Sequence, residues 1–364
     1  MIPAWQRNIY QQGARWHNFW LRPSDPLPLC LLRIALGISL LYTHWVWGLG
    51  LSGFLGETGW NNAGIVRALQ QDSASWSIWW WVPAGYELTF HRVCLGVLGV
   101  LFFFTLGAFT RVTAIFAWFI TVSYAQRAML STFGLDQVNA MLAFYLMLAP
   151  CGAYLSVDQW WKAQRTDDHA VSKSSAANLS ARLIQFHLAV MYVWAGLSKL
   201  QGTSWWTGEA LWRVIANEEY QSLDLTWLAY FPLALQWMNH LVIFFELSFP
   251  VSILHPTTRK ISLVLGTMMH LGIGLFLGML PFGLIMIASY LSFADAATMR
   301  ALASRGILKL LRRHDSKPPT EQHSETSGHA KNSQIPAALT VTNRLEADSA
   351  PRVSSERVPE QNGA

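Results

Sequence analysis

The sequence predicts an all-α protein, a bundle of about eight membrane-spanning helices. Its 364 residues are 52% hydrophobic and only 13% charged, whereas a soluble domain carries about 25% charged residues. The chain also contains several apolar runs of roughly 20 residues, the length that crosses the hydrocarbon core of a bilayer. We therefore expect a multi-pass integral protein of the cell membrane.

Eight apolar segments fit this length. They are residues 29–48, 93–109, 112–129, 138–155, 182–200, 233–254, 261–280 and 282–298. Little more than Pro281 separates the last two, so the eighth has the weakest support. The prediction divides the chain into a cytoplasmic segment 1–28, a transmembrane domain 29–298 and a cytoplasmic tail 299–364. The tail begins basic and then becomes polar, as is typical of disorder.

The distribution of Lys and Arg predicts that both ends of the chain are cytoplasmic. Under that orientation the outer segments hold few basic residues: Arg67, Arg92, Arg127 and Arg213. The inner segments and the start of the tail hold many more, as the positive-inside rule requires. Two tryptophan-rich loops, at about 49–92 and 201–232, then lie outside. Clustered tryptophan is typical of an interfacial belt, and a lid over an outward-opening site is the alternative.

Motifs for several other functions are absent from the sequence. The three cysteines, Cys30, Cys94 and Cys151, lie in or beside apolar segments without CxxC spacing, so neither a disulfide framework nor a metal site is predicted. No phosphate-binding loop, dinucleotide fingerprint or HExxH motif occurs. Basic loops that face anionic lipid explain the net charge of +5. Membrane lipid, and not nucleic acid, is therefore the expected partner.

Ionisable residues within the apolar segments are the candidate functional residues, because a charge inside a membrane is costly. Glu246 and His270 lie at matching depths in their segments. They could pair if their helix faces meet, either as a proton relay or as a structural contact. Lys199 and His240 lie toward the outer ends of theirs.

Two further polar residues are expected to be structural. Arg33 lies near an inner end, where an arginine extends its head group toward water or lipid phosphate. His44 lies at an outer rim and is expected to be an interface residue.

Lys199 closes the apolar segment QFHLAVMYVWAGLSKL, just before the turn QGTSWWTG. A lysine at the end of a span is most often an interfacial anchor. A lysine partly withdrawn from water can instead act as a general base or nucleophile. Tyr192 lies seven residues earlier on nearly the same helical face. The two residues could line a groove for a flat apolar ligand such as a quinone.

This stretch resembles the signature of the horizontally transferred transmembrane (HTTM) domain, an apolar helix reading Y-x-x-A-G-x-x-K-L before a turn with W and G. The matching residues are Tyr192, Ala195, Gly196, Lys199, Leu200, Trp206 and Gly208. The opening LCLLRIALGISLLY is similar to the first span of the family. The stretch from FFELSFPVSIL to LPFGLIMIASYLSF is similar to its later spans.

The HTTM family includes vitamin K-dependent γ-glutamyl carboxylase, a lyase in which the motif lysine deprotonates the reduced vitamin. The resemblance implies a catalytic base at Lys199. His240, at a similar depth, is a candidate catalytic partner, and Tyr192 and Trp206 are candidate quinone-binding residues. The mid-membrane glutamate and histidine would act as a relay or support. Reduced vitamin K or a related menaquinol is the implied cofactor.

Two other functions are compatible with the same residues. Sporulation-delaying protein B is a bacterial member of the family, and that resemblance implies a helper in the maturation or export of a secreted peptide. The chain shows no counterpart of the large β-rich region with which the carboxylase holds its protein substrate. A transporter with a proton path through Glu246 and His270 is the third interpretation, although no internal repeat supports it.

Overall fold

A computed structural model describes residues 4–71, 75–81, 87–166, 171–219, 222–301 and 304. Within these ranges every regular element is a helix, and an isolated backbone bridge joins Ser24 to Ser174. The predicted all-α class is confirmed. The disorder predicted for the end of the tail concerns positions outside the described residues.

The described α-helices follow one another through short turns. They are α1 (Ala4–Leu21), α2 (Leu27–Leu49), α3 (Leu51–Leu55), α4 (Ala63–Leu69), α5 (Glu87–Leu106), α6 (Thr110–Arg127), α7 (Gly134–Leu148), α8 (Val157–Arg165), α9 (Ser175–Leu200), α10 (Thr203–Trp206), α11 (Ala210–Ile215), α12 (Pro232–Ser252), α13 (Pro256–Phe276) and α14 (Leu280–Ser289). Short 3₁₀ helices cover Ile78–Trp81, Thr226–Tyr230 and Tyr290–Phe293.

A helix covers most of each predicted membrane segment. In chain order these are α2, α5, α6, α7, α9, α12, α13 and α14, the last together with the 3₁₀ helix Tyr290–Phe293. Among the residues described, α2 and α9 are long and apolar enough to cross a membrane, and shorter apolar stretches are Arg92–Leu106 and Leu280–Phe293. The helices therefore agree with the predicted segments, while the number of spans and their orientation stay predictions.

The end of α7 differs from the prediction. The helix ends at Leu148, whereas the predicted segment continues to residue 155. Pro150 cannot donate a backbone hydrogen bond, and the chain turns. The guanidinium of Arg33 donates to the carbonyls of Cys151 and Leu155 in this turn, at 2.7 and 2.5 Å. Arg33 is fully buried, so the prediction that it reaches toward water or lipid is wrong.

Four helices position the candidate site. Helix α9 packs on α12, α12 packs on α13, and α13 packs on α14. The buried positions of α9 recur every three or four residues and form one inward stripe. They are Ala177, Ser180, Ile184, Leu188, Tyr192 and Gly196. Helix α13 presents a matching stripe of mostly small residues: Ser262, Gly266, His270 and Gly274.

Candidate functional site

Lys199, in the last turn of α9, forms an ion pair with Glu246 of α12. The Lys199 Nζ lies 2.8 Å from Glu246 Oε1, and the two side chains are 21% and 7% exposed. Nζ also lies 5.3 Å from the centroid of the Trp205 ring, within the range of a cation–π interaction. The lysine is thus held between a carboxylate and an aromatic ring.

Gly196 allows this contact to form. It lies one turn before the lysine on the inward stripe of α9, and a Cβ at this position would lie 2.8 Å from Leu247 and 3.3 Å from the Cβ of Glu246. Because glycine has no Cβ, the backbones of α9 and α12 approach closely. The glycine of the A-G-x-x-K pattern is therefore explained by packing beside the ion pair.

The tryptophan and glycine that follow the lysine build the turn. The indole N–H of Trp206 donates to the carbonyl of Leu200 at 2.8 Å, which satisfies one of the last carbonyls of α9. Gly208 has a φ of +81°, and its carbonyl accepts from Asn239 Nδ2 at 2.7 Å. Asn239 Oδ1 in turn accepts from the backbone N–H of Leu211 at 3.0 Å. These hydrogen bonds hold the turn against α12.

Trp205, and not Trp206, lies against Lys199. Trp206 is 56% exposed and its indole is engaged with Leu200. The predicted quinone-binding residue Trp206 therefore caps the end of α9, and its neighbour Trp205 is the tryptophan beside the lysine. In a helical turn, neighbouring side chains point about 100° apart.

A second polar cluster lies on the same stripe of α9 at Tyr192. The Tyr192 hydroxyl is 2.7 Å from His270 Nε2 and is hydrogen-bonded to the Tyr290 hydroxyl. The rings of Phe249 and Phe245 pack on Tyr192, with centroids at 4.2 and 5.6 Å. The three polar side chains are buried, and α9, α13 and the 3₁₀ helix after α14 meet at this cluster.

The predicted pair between Glu246 and His270 does not form. Glu246 binds Lys199, and His270 binds Tyr192. The prediction compared depths along the helices, but depth does not determine which neighbour a side chain faces. Both partners, Lys199 and Tyr192, belong to helix α9.

His240 is not brought to Lys199 by any described contact. Its Nδ1 lies 2.8 Å from the carbonyl of Gln236 in the same helix. His240 precedes Glu246 by six residues, which places the two side chains on different faces of α12. The structure thus separates the predicted catalytic histidine from the ion pair.

Each of the two clusters contains a polar atom that could form a further hydrogen bond. Glu246 Oε2 and His270 Nδ1 are buried and have no hydrogen-bond partner among the described residues. Buried polar atoms of this kind are usually satisfied by protein, water or a ligand. A ligand hydroxyl could pair with Oε2. No group of three or more His, Cys, Asp or Glu able to hold a metal occurs in the described ranges.

Three residues of these clusters were not predicted from the sequence. Asn239 precedes Glu246 by seven positions and so shares its helix face, a spacing that could have indicated it. Trp205 could have been found only with the geometry of the turn. Tyr290 follows α14 in a stretch without polar periodicity, and the sequence carries no signal for its contact with Tyr192.

The fold and this site define a membrane-associated helical bundle with a partly buried lysine–glutamate pair. The HTTM domain family matches residues 21–297. The chain belongs to the HTTM family, as its motifs predicted.

A relative is sporulation-delaying protein SdpB of Bacillus subtilis (strain 168), to which the chain is 26% identical over 216 residues. The match covers 57% of this chain and 65% of the length of SdpB, slightly less than two thirds. No solved structure matches the chain.

Proposed function

We propose that the chain is a multi-pass membrane protein in which the Lys199–Glu246 pair acts as a base toward a reduced quinone. The observation that carries this proposal is the 2.8 Å contact between the two side chains, with Trp205 beside the lysine and an unpaired oxygen on the glutamate. A base, an apolar ring surface and a free acceptor are what a quinol hydroxyl and ring would require.

The outward faces of the helices support a membrane location. On α12 the exposed large apolar residues recur at helical spacing: Leu233, Trp237, Leu241, Phe244 and Val251. A comparable row on α9 lies opposite the inward stripe: Phe186, Val190, Trp194 and Leu197. Soluble monomers rarely expose apolar patches of this extent. Lipid around an eight-span bundle would cover both rows.

The ion pair provides a route by which a lysine becomes a base. Lys199 Nζ and Glu246 Oε1 share one short hydrogen bond. Moving one proton from Nζ to Oε1 gives a neutral amine and a neutral acid, which avoids holding two charges in weakly solvated surroundings. The amine lone pair can then accept a proton from a ligand hydroxyl. Trp205 would shield the site from water.

A reduced quinone of the vitamin K type would supply the electrons that reduce O₂, with one epoxide and one water formed for each quinol and O₂ consumed. The residues present fit such a ligand in three respects: the unpaired Glu246 Oε2, the partly exposed Nζ of Lys199 and the adjacent ring of Trp205. The role of this chain is to hold the quinol hydroxyl near Nζ and to take its proton.

Epoxide formation tests the proposal. Purified protein in lipid nanodiscs would receive reduced vitamin K, then reduced menaquinone, with O₂, and the epoxide would be measured by chromatography. We expect Lys199→Ala to lower the rate by about 10²–10⁴-fold, the usual contribution of a general base. Lys199→Arg separates the loss of the base from the loss of the ion pair, because arginine keeps the ion pair but does not release its proton. It should therefore fold and still lose turnover.

The matched control is Lys260→Ala, which removes an exposed lysine near the start of α13 and should leave turnover unchanged. Full turnover in Lys199→Arg would contradict a base role for Lys199. Absence of epoxide from folded wild-type protein with both quinols would contradict the quinone proposal itself.

The alternative function is a helper in the maturation or export of a secreted peptide. The likeness to SdpB over more than half of this chain favours it. The test is co-expression with a small secreted peptide encoded next to this chain. Release of mature peptide that depends on this chain, in the absence of quinol turnover, would select the helper.

A further inference from the structure

A buried polar cavity lies between α2, α6 and α7. A cavity of about 10 Å³ is lined there by His44 of α2, Tyr124 of α6, and Asp136 and Asn139 of α7, among others. None of the residues that line it belongs to α9 or α12. The cavity is therefore separate from the Lys199–Glu246 pair.

His44 presents a hydrogen-bond acceptor that no described residue satisfies. The residue is 3% exposed, so the prediction that it is an interface residue is wrong. Its Nδ1 lies 2.8 Å from the carbonyl of Leu40, and a carbonyl can only accept, so Nδ1 carries the hydrogen. In the neutral ring Nε2 is then an acceptor. Nε2 is buried and has no partner among the described residues.

Asn139 presents the complementary donor. It is 1% exposed, and its Oδ1 accepts from the Ser39 hydroxyl at 3.0 Å. In this orientation of the amide, Nδ2 is the group left to donate. Nδ2 is likewise buried without a described partner. An unsatisfied donor and an unsatisfied acceptor therefore line the same cavity.

We propose that this cavity binds a single water molecule that donates to His44 Nε2 and accepts from Asn139 Nδ2. A volume of about 10 Å³ is close to the minimum that holds one water, and it excludes a quinone or lipid head group. The cavity also meets the requirement of at least two polar partners.

Asp136 supplies a third partner for the water. One of its carboxylate oxygens, Oδ2, accepts from the backbone N–H of Phe133 at 3.0 Å. Because Asp136 also lines the cavity, we assign the second hydrogen of the water to its carboxylate. The water would thus link α2 to the first turn of α7 through side chains of both helices.

Nitrogen-15 NMR of the wild-type protein in lipid tests the tautomer and the water directly. With the His44 ring assigned through its backbone, we expect Nδ1 to be protonated, Nε2 to show the shift of a hydrogen-bonded acceptor, and the ring to show a cross-peak to water protons. A ring protonated at Nε2, or the absence of a water cross-peak, would overturn the proposal.

A double-mutant cycle provides an independent measurement. His44→Phe and Asn139→Leu each remove one partner of the same water, so the loss in Tm of the double variant should be smaller than the sum of the single losses. The matched control combines Asn139→Leu with His240→Phe, and these changes should be additive. Additivity of His44→Phe with Asn139→Leu would argue against a shared water. The NMR experiment decides the question if a variant does not fold.

Discussion

Gly196 of α9 packs directly on Leu247 of α12, so closely that a Cβ at position 196 would lie 2.8 Å from two side-chain carbons of Leu247. Lys199, three residues after Gly196 on α9, reaches Glu246, the residue next to Leu247 on α12. The close approach of the two helices and the ion pair are therefore one structural feature. The motif glycine sets the separation of the helices, and that separation sets the length of the ion pair.

Replacing Gly196 with alanine should loosen this interface. The added methyl group must displace Leu247 or separate the helices, and overpacking of this kind destabilises by about 1–3 kcal/mol. The unfolding midpoint in detergent or nanodiscs measures the effect. Gly99→Ala on α5 is the matched control, because no atom lies within 4 Å of a Cβ there. If both substitutions shift the midpoint equally, Gly196 has no special packing role.

Removing one partner of the ion pair should destabilise the fold more than removing both. Glu246→Gln leaves the Lys199 ammonium beside a neutral amide, and Lys199→Met leaves a nearly buried carboxylate unpaired. The loss should lie between the roughly 1 kcal/mol of an exposed pair and the about 3–5 kcal/mol of a buried one. The double variant should recover part of it.

Unfolding by denaturant in mixed micelles measures the three variants. The conclusion depends on the sign of the coupling between the two substitutions. Strict additivity would mean that the 2.8 Å contact contributes nothing measurable to stability, and the proposed base would then lack its held position.

The sequence predicted the fold class and the helical segments because both depend on local composition. Apolar runs of membrane length indicate helices wherever they occur, and the inward position of Tyr192, Gly196 and Lys199 follows from their spacing on one helix. The motif also indicated Lys199 as the central residue. These inferences require no knowledge of how the helices pack on each other.

The partners of the site residues could not be predicted, because they depend on packing between helices. Glu246 and His270 agree in depth but face different side chains of α9. Arg33 was expected near lipid because it lies near a segment end, yet a turn after α7 supplies two carbonyls to it. The position of a residue along a helix gives its depth and the face it occupies. It does not give the residue of another helix that it contacts.

Tyr192→Phe should destabilise the protein more than Tyr290→Phe. The Tyr192 hydroxyl bonds to both His270 and Tyr290, so its removal leaves two buried polar groups without this partner. An unsatisfied buried group costs about 1–3 kcal/mol. Removal of the Tyr290 hydroxyl leaves the contact between Tyr192 and His270 in place.

Thermal unfolding of the two variants provides the comparison. The variants are matched, because each removes the hydroxyl oxygen of one tyrosine. A larger loss in Tm for Tyr290→Phe would mean that Tyr192 is not the centre of the cluster. Equal and small losses would mean that water satisfies these groups as well as the tyrosine does.

Arg33→Lys should be strongly destabilising although it keeps the charge. The guanidinium of Arg33 donates from two nitrogens to the carbonyls of Cys151 and Leu155, and a lysine ammonium is a compact point charge that lacks this planar fork. One carbonyl would lose its partner in a buried turn, at a cost of about 1–3 kcal/mol.

The control is Arg213→Lys. Arg213 forms an exposed pair with Glu209 at 2.8 Å, so this variant should lose less than about 1 kcal/mol of stability. Chemical unfolding of both variants makes the measurement. If Arg33→Lys were as mild as the control, the turn after α7 would be held by its own backbone and not by the guanidinium.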